Sequence, residues 1–206
     1  MPFIQALIHD QLPLTAFRTF QFFDEKILAT EIEALTHMVS LSTQPIVFKR
    51  YYEKVLESTK NEHLWTKEKI EGISHPIYPG LNSALLYADF FQKPIYGHGD
   101  MLGRMTPCIL LFDLLGQQIQ EQTEHSLQDW AKTIVSSNNH DALMDTIHYL
   151  DNHFPEQHPL FLKRLTQGIN HETDLFHELS AKLCHSDMSD PIGLTSSPLC
   201  TISAIF

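Results

Sequence analysis

The chain has 206 residues and a formal net charge of −11, with 25 acidic residues against 14 lysines and arginines. This length can bury a hydrophobic core, and a single domain is the simplest expectation. The acidic balance provides no basic patch for nucleic acid. The absence of any apolar run of about 18 residues argues against a membrane-spanning helix.

The cysteine pattern and the N-terminal segment both favour a cytoplasmic protein. Cysteines 108, 184 and 200 are too widely spaced to predict a disulfide framework or a zinc site. The opening MPFIQALIHDQL has no basic segment and carries an acidic residue, so it does not resemble a signal peptide.

The sequence pattern favours helices along most of the chain. It has only eight glycines and no sustained alternation of apolar and polar residues. The predicted helices cover about 3–9, 14–40, 44–71, 82–92, 101–121, 125–136, 140–153 and 157–185. The sequence therefore predicts an all-α, single-domain bundle of seven or eight helices over residues 1–185. Residues 186–206 are predicted to form an irregular tail.

Individual residues predict where several helices begin or end. Thr43 is the expected N-cap of the second long helix, with Pro45 just inside it, and Gly72 is expected to end that helix. Prolines and glycines predict a loop over 73–83 and a break over 93–100. Pro107 is expected either to kink its helix or to lie in the first turn.

Three reactive side chains, Asp24, Cys108 and Glu172, each interrupt an apolar stripe at helical spacing. The apolar neighbours are, in turn, Phe17, Phe20, Ile27 and Leu28; Met101, Met105, Leu111, Phe112 and Leu115; and Leu165, Ile169, Leu175, Phe176 and Leu179. Such a stripe is the face that a helix buries. A carboxylate on that face must be paired, hydrogen-bonded or protonated. The pattern predicts one buried polar pocket that is lined by all three side chains.

Four segments in order along the chain resemble motifs of the TenA family of thiaminase-II-like proteins. They are MPFIQALIHDQLPLTAFRTFQFFD (1–24), MTPCILLFDLLGQQI (105–119), SLQDWAKTIVSS (126–137) and GINHETDLFHELS (168–180). The resemblance covers about residues 2–180. It implies the haem-oxygenase-like helical fold, a pyrimidine ligand, a homo-oligomer (dimer or tetramer) and no metal or cofactor.

The resemblance also implies roles for individual residues. Cys108 falls on the family's nucleophile, Glu172 on its catalytic glutamate and Asp24 on its pyrimidine-binding aspartate. Tyr87 and Phe112 are expected to flank the ring as substrate-binding residues. The implied reaction is hydrolysis of an aminopyrimidine or of thiamin, a salvage step.

The sequence departs from the family pattern around the expected pocket. Ile27, Phe112 and Ile134 stand where the family has an aromatic residue, a tyrosine and a second tyrosine. These differences imply weak activity or a shifted substrate. Met1 stands where the family has a histidine, so the helix that precedes this position in the family is expected to be absent.

The residue types suit this chemistry on general grounds. A thiolate is the best side-chain nucleophile for addition to an electron-poor ring near neutral pH. One carboxylate can hold the ring through hydrogen bonds. A second, desolvated carboxyl with a raised pKa can donate a proton to the leaving group and then activate water.

Each candidate also has a structural interpretation. Cys108 can be an inert small hydrophobe, and the carboxylates can belong to buried ion pairs, for example with Arg104 or Lys26. Both tryptophans are expected in the core.

A metal site is a further alternative. His171, Asp174 and His177 share one helix face, and related helical folds hold di-iron sites in a carboxylate and histidine set. Because these three residues flank the apolar stripe, a solvated face is the preferred interpretation. A di-metal oxidase-like relative is the least favoured reading of the chain.

Two classes of function therefore stay open: a hydrolase, and a ligand-binding or scaffold protein that kept the fold without catalysis. Rapid alkylation of Cys108 below its ordinary pKa of about 8.5 is expected only of an activated nucleophile.

Association is expected from apolar surface. The missing first helix should leave Phe3, Ile4 and Leu7 uncovered, and the tail carries Leu194, Leu199 and Phe206 among its apolar residues. Apolar patches of this kind usually mark an interface. We expect the tail to pack over this gap or against a second subunit.

Overall fold

The computed structural model describes residues 2–71, 80–136 and 140–186, which form eight α-helices and a short 3-10 turn without any strand. The helices are α1 (Pro2–Ile8), α2 (Leu14–Ser40), α3 (Ile46–Ile70), α4 (Asn82–Gln92), α5 (His98–Gln120), α6 (Gln128–Ser136), α7 (His140–His153) and α8 (His158–Ser186), with the 3-10 turn at Pro155–Gln157. The prediction of an all-α, single-domain helical bundle is confirmed.

The helix ends differ from the sequence prediction in a few places. The bounds of α2, α4 and α7 coincide with those predicted, whereas α5 begins at His98, inside the expected break. It starts there because Gly97 has φ 131°, a left-handed conformation that favours glycine. Pro45, not Thr43, precedes the first turn of α3 as its N-cap. Pro107 lies well inside α5 rather than in its first turn.

Helix α5 is the central element of the bundle. It packs along α8 and also contacts α6 and α7, while α2 packs against both α3 and α4. Aromatic side chains from α1, α2 and α8 fill the space between these layers: Phe3 contacts Phe20 and Phe176 at ring-centroid distances of 5.9 and 5.8 Å. Trp130 is buried in the same core, as expected, whereas Trp65 is only partly buried.

Two glycines let α5 approach the segment that contains α8. A methyl group on Gly99 would lie 2.5 Å from the carbonyl oxygen of Gln157, and one on Gly103 would lie 2.5 Å from the carbonyl oxygen of Phe161. Real Cβ atoms do not approach backbone this closely, so the helix spacing requires these glycines. This close approach brings Cys108 and Glu172 onto facing helices.

A fully buried ion pair fixes the start of α5. Arg104 Nε donates to Asp100 Oδ1 at 2.7 Å, and both side chains are inaccessible to solvent. Arg164 of α8 donates to the same Asp100 oxygen at 2.8 Å. The Arg104 guanidinium also donates to the carbonyl oxygens of Lys93 and Pro94, at 3.1 and 2.9 Å. The network ties α4, α5 and α8 together through satisfied charges.

The N-terminal helix is covered by the chain itself. Phe3 and Leu7 are each 1% exposed, and the Phe3 backbone N–H donates to Ser180 Oγ at 3.1 Å. The expectation that these residues would be left as exposed apolar surface was wrong, because α1 docks on α8. Ile4 stays partly exposed. Gly72, most of the 73–83 loop and the tail from 187 onward lie outside the described residues, so their predicted roles stay predictions.

Over the described ranges, none of the helices combines the length and hydropathy that crossing a membrane requires.

Candidate active site

A small cavity of about 50 Å³ lies beside Cys108 on α5, facing α2 and α3. Its lining residues are Leu28, Glu31, Val55, Ser58, Thr59, Glu62, Cys108, Ile109, Phe112, Asp113 and Ile134. The Cys108 side chain is half-buried. By the volume that a water molecule needs, the cavity admits a few waters, so a pyrimidine ring can enter only if lining side chains move.

Asp24, Cys108 and Glu172 come close enough to influence one another's ionisation. The Asp24 and Glu172 carboxyls both raise the pKa of the Cys108 thiol, and Glu172 raises the pKa of Asp24. The three helices α2, α5 and α8 therefore bring these side chains together. They do not share the cavity, however: Cys108 lines it, Glu172 lines a separate groove between α5 and α8, and Asp24 lines neither.

Glu31 of α2 and Glu62 of α3 are two further carboxyls that the sequence reasoning did not select. Both line the cavity, and both raise the pKa of Cys108. For both residues, the spacing along the helix could have indicated a buried position. Glu31 lies seven residues after Asp24 on the buried face of α2, and Glu62 continues the stripe of Val55, Thr59 and Thr66 on α3.

Burial is the main cause of the shifted pKa values in this acidic cluster, which consists of Asp24, Glu31, Glu62 and Glu172. It raises the pKa of Glu31 from 4.5 to about 8, and the pKa values of Glu62 and Glu172 from 4.5 to about 7. Burial also raises the pKa of Asp24 well above its usual range, and Glu62 and Glu172 add to the effect. Part of the cluster is therefore protonated at neutral pH.

The buried ion pairs that were considered for these carboxyls are not found. Arg104 pairs with Asp100, and the Lys26 ammonium lies over the rings of Phe22 and Phe23. His63 and Lys67 of α3 pair with Glu25. Within residues 2–71, 80–136 and 140–186, no Lys, Arg or His forms a salt bridge to any member of the acidic cluster. This leaves desolvated carboxyls without a compensating charge, as at sites that hold protons for chemistry.

Tyr87 of α4 provides the main polar contact of Glu172. Its hydroxyl donates to Glu172 Oε1 at 2.8 Å, and both groups are buried. The ring of His171 stacks on Tyr87, with centroids 5.5 Å apart and planes 8° from parallel. The other Glu172 oxygen, Oε2, is buried and has no hydrogen-bond partner among the described residues. Tyr87 thus positions Glu172 and is separate from the cavity wall.

The Cys108 thiol is protonated in the free protein. Burial is the largest cause that raises its pKa, and the carboxyls of Glu172, Glu31 and Glu62 raise it further. A resting thiolate, and with it the rapid alkylation expected of an activated cysteine, does not fit these surroundings. Attack by Cys108 would need a neighbouring carboxylate to accept its proton.

Apolar side chains occupy positions where the resembled family has tyrosines. Phe112 and Ile134 both line the cavity. Phe112 stacks on Phe20 at 6.2 Å and meets Trp130 edge-on at 6.1 Å. Ile27 is buried in the core. Phe112, Ile134 and Ile27 therefore offer no hydroxyl group to a bound ring.

The candidate metal ligands beside Glu172 lie on or near the surface of α8. Asp174 and His177 are exposed, in line with the preferred solvated face, and His171 is half-buried against Tyr87. Throughout the described part of the chain, no group of three or more His, Cys, Asp or Glu side chains has an arrangement that could hold a metal ion.

No family model, curated protein or solved structure matches this chain.

Proposed function

We propose that the chain is a thiaminase-II-like hydrolase that cleaves an aminopyrimidine or thiamin, with Cys108 as the nucleophile. The observation that carries this proposal is the meeting of Cys108 with Asp24 and Glu172 from three different helices, in a cluster that contains no neutralising cation within the described residues. The TenA-like motifs around the same three residues support it independently.

The proposed reaction uses the protonation states that burial creates. Cys108 Sγ adds to the electron-poor ring, and its proton passes to a neighbouring carboxylate. Glu172, with a pKa of about 7, can donate a proton to the leaving group as the bond between the leaving group and the pyrimidine breaks, and then take one from the water that forms the new carbon–oxygen bond. The ring–sulfur bond then breaks, and the thiol regains its proton. The net change is addition of water and release of the leaving group.

Asp24 is proposed to hold the ring after side chains move to open the cavity towards it, since Asp24 does not line the cavity in this structure. A protonated Asp24 can donate to a ring nitrogen, and its second oxygen can accept from the exocyclic amino group. Phe112 would stack against the ring from the cavity wall. Tyr87 is better described as a positioning residue, because its hydroxyl donates to Glu172 Oε1.

A ligand-binding protein without catalysis is the second candidate, favoured by the protonated Cys108 thiol. Calorimetric titration with thiamin and an aminopyrimidine, run beside a product assay by mass spectrometry, separates the two. Turnover supports the hydrolase, whereas saturable binding without turnover supports the second candidate. Absence of both binding and turnover contradicts the pyrimidine ligand itself.

A cytoplasmic location and a homo-oligomer also remain proposals. The cytoplasmic location is proposed from the wide spacing of Cys108, Cys184 and Cys200 in the sequence, which predicts no disulfide framework. Light scattering on the full chain and on a chain ending at Ser189 tests the oligomer. A monomer in both cases, with equal melting temperatures, would contradict a role for the tail in assembly.

A further inference from the structure

A groove of about 450 Å³ lies on the surface between α5 and α8, outside the Cys108 cavity. Leu110, Leu114 and Ile169 form its outer part, and they are 36%, 53% and 49% exposed. Apart from Thr173 and Glu172, every lining residue is apolar. A groove of this size and composition resembles ligand sites, which combine an apolar lining with a few placed polar groups.

Glu172 gives this groove a buried polar end. The side chain is 5% exposed, and Tyr87 occupies only its Oε1 atom. Glu172 Oε2 is buried without a hydrogen-bond partner in the described part of the chain. Leaving such a group unsatisfied costs roughly 1–3 kcal/mol, and more for a charged group. A ligand that brings a hydrogen-bond donor into the groove would supply the missing partner.

The charges around Glu172 indicate whether a cationic or an anionic ligand is favoured. Glu172 interacts electrostatically with Asp24 and Glu31, and no Lys, Arg or His of the described residues forms a salt bridge to any of these three groups. An anionic head group would be repelled by these carboxyls, and a cation would be attracted in a site of low dielectric constant.

We propose that the α5–α8 groove binds an amphipathic amine, whose apolar body packs between Leu114 and Ile169 and whose ammonium group donates to Glu172 Oε2. The proposal shares Glu172 with the proposed hydrolase but does not involve Cys108, which does not line this groove. Octylamine binding should therefore persist in Cys108→Ser, so that failure of the groove and failure of the hydrolase can be told apart.

Calorimetric titration of the full chain with n-octylamine tests the site, with octanoate and 1-octanol as head-group controls at pH 8. Octylamine should bind saturably and at least ten-fold more tightly than either control. Glu172→Gln should weaken octylamine binding at least ten-fold. Asp174→Asn, an exposed acid-to-amide change on the same helix, should leave it unchanged.

The apolar half of the site has a matched test that does not touch a buried residue. The double variant Leu114→Ser/Ile169→Ser should weaken octylamine binding at least ten-fold. Leu64→Ser/Leu85→Ser, two leucines of similar exposure away from the groove, should bind as wild type does. Equal affinity for octanoate, full affinity in folded Glu172→Gln, or the absence of saturable octylamine binding would each overturn the proposal. If Glu172→Gln does not fold, two comparisons test the proposal: octylamine against octanoate and 1-octanol, and Leu114→Ser/Ile169→Ser against Leu64→Ser/Leu85→Ser.

Discussion

The Tyr87 hydroxyl donates a 2.8 Å hydrogen bond to Glu172 Oε1 inside the bundle, which joins α4 to α8 beside the acidic cluster. This bond lowers the pKa of Glu172, while burial raises it to a net value of about 7. The contact therefore lowers the pH at which Glu172 changes from proton donor to proton acceptor.

Tyr87→Phe should raise the pKa of Glu172 above about 7, because the ionised carboxylate loses its hydrogen bond while burial is unchanged. Carbon-13 NMR of labelled glutamate follows this titration without any substrate. Tyr51→Phe is the matched control, because the Tyr51 hydroxyl is buried without a hydrogen-bond partner in the described residues. A Glu172 pKa that is unchanged or lowered in Tyr87→Phe would contradict this role.

Glu31 should make the protein less stable as the pH rises. The folded chain holds the Glu31 proton up to about pH 8, whereas the unfolded chain releases it near pH 4.5. The folded state therefore binds more protons between these values, and the free energy of unfolding falls across that window. Each pKa unit of difference corresponds to roughly 1.4 kcal/mol.

Glu31→Gln should remove this contribution, so its melting temperature should fall less than that of wild type between pH 5 and pH 8. Thermal unfolding by circular dichroism measures the difference. Glu33→Gln, an exposed change on the same helix, should follow the wild-type curve. Parallel curves for wild type and Glu31→Gln would show that Glu31 ionises normally in the folded protein.

Arg104→Met should destabilise the fold by about 3–5 kcal/mol, because it leaves buried Asp100 with fewer partners and removes the donors to the carbonyl oxygens of Lys93 and Pro94. Lys93→Met breaks an exposed pair with Asp89 and should cost less than about 1 kcal/mol. Urea unfolding compares the two. A similar loss of unfolding free energy in both variants would mean that the buried network stabilises the fold no more than the exposed ion pair does.

Gly103→Ala should also destabilise the protein, by about 1–3 kcal/mol, because its methyl group would meet the Phe161 carbonyl oxygen at 2.5 Å. Alanine has a higher helix propensity than glycine, so Gly103→Ala would stabilise the helix if its methyl group met no obstacle. A lower free energy of unfolding therefore indicates that the methyl group is crowded. Asn170→Ala, at an exposed position of α8, should be neutral or stabilising in the same assay. A stabilised Gly103→Ala protein would indicate that α5 and α8 are farther apart.

Sequence periodicity predicted most of the fold because it records which face each helix buries. It also placed Asp24 and Glu172 on buried faces. Ion pairs between helices were harder to predict from the sequence. Asp100 and Arg104 have helical spacing, but Arg164, which also pairs with Asp100, comes from a different helix. The covering of Phe3 by α8 is likewise a tertiary contact without a local signal. Glu31, by contrast, could have been selected from its place on the face of Asp24.

The most direct test of the proposed activity is the initial rate of hydrolysis of thiamin and of an aminopyrimidine, followed by mass spectrometry. Wild type should turn over at least one of them. Cys108→Ser should lose activity by about 10³-fold or more while keeping its fold, because a hydroxyl is a far weaker nucleophile at neutral pH. Cys184→Ser, a change on α8 at a residue that does not line the Cys108 cavity, should retain wild-type activity. Full turnover by Cys108→Ser, or no turnover of either compound by wild type, would contradict the account.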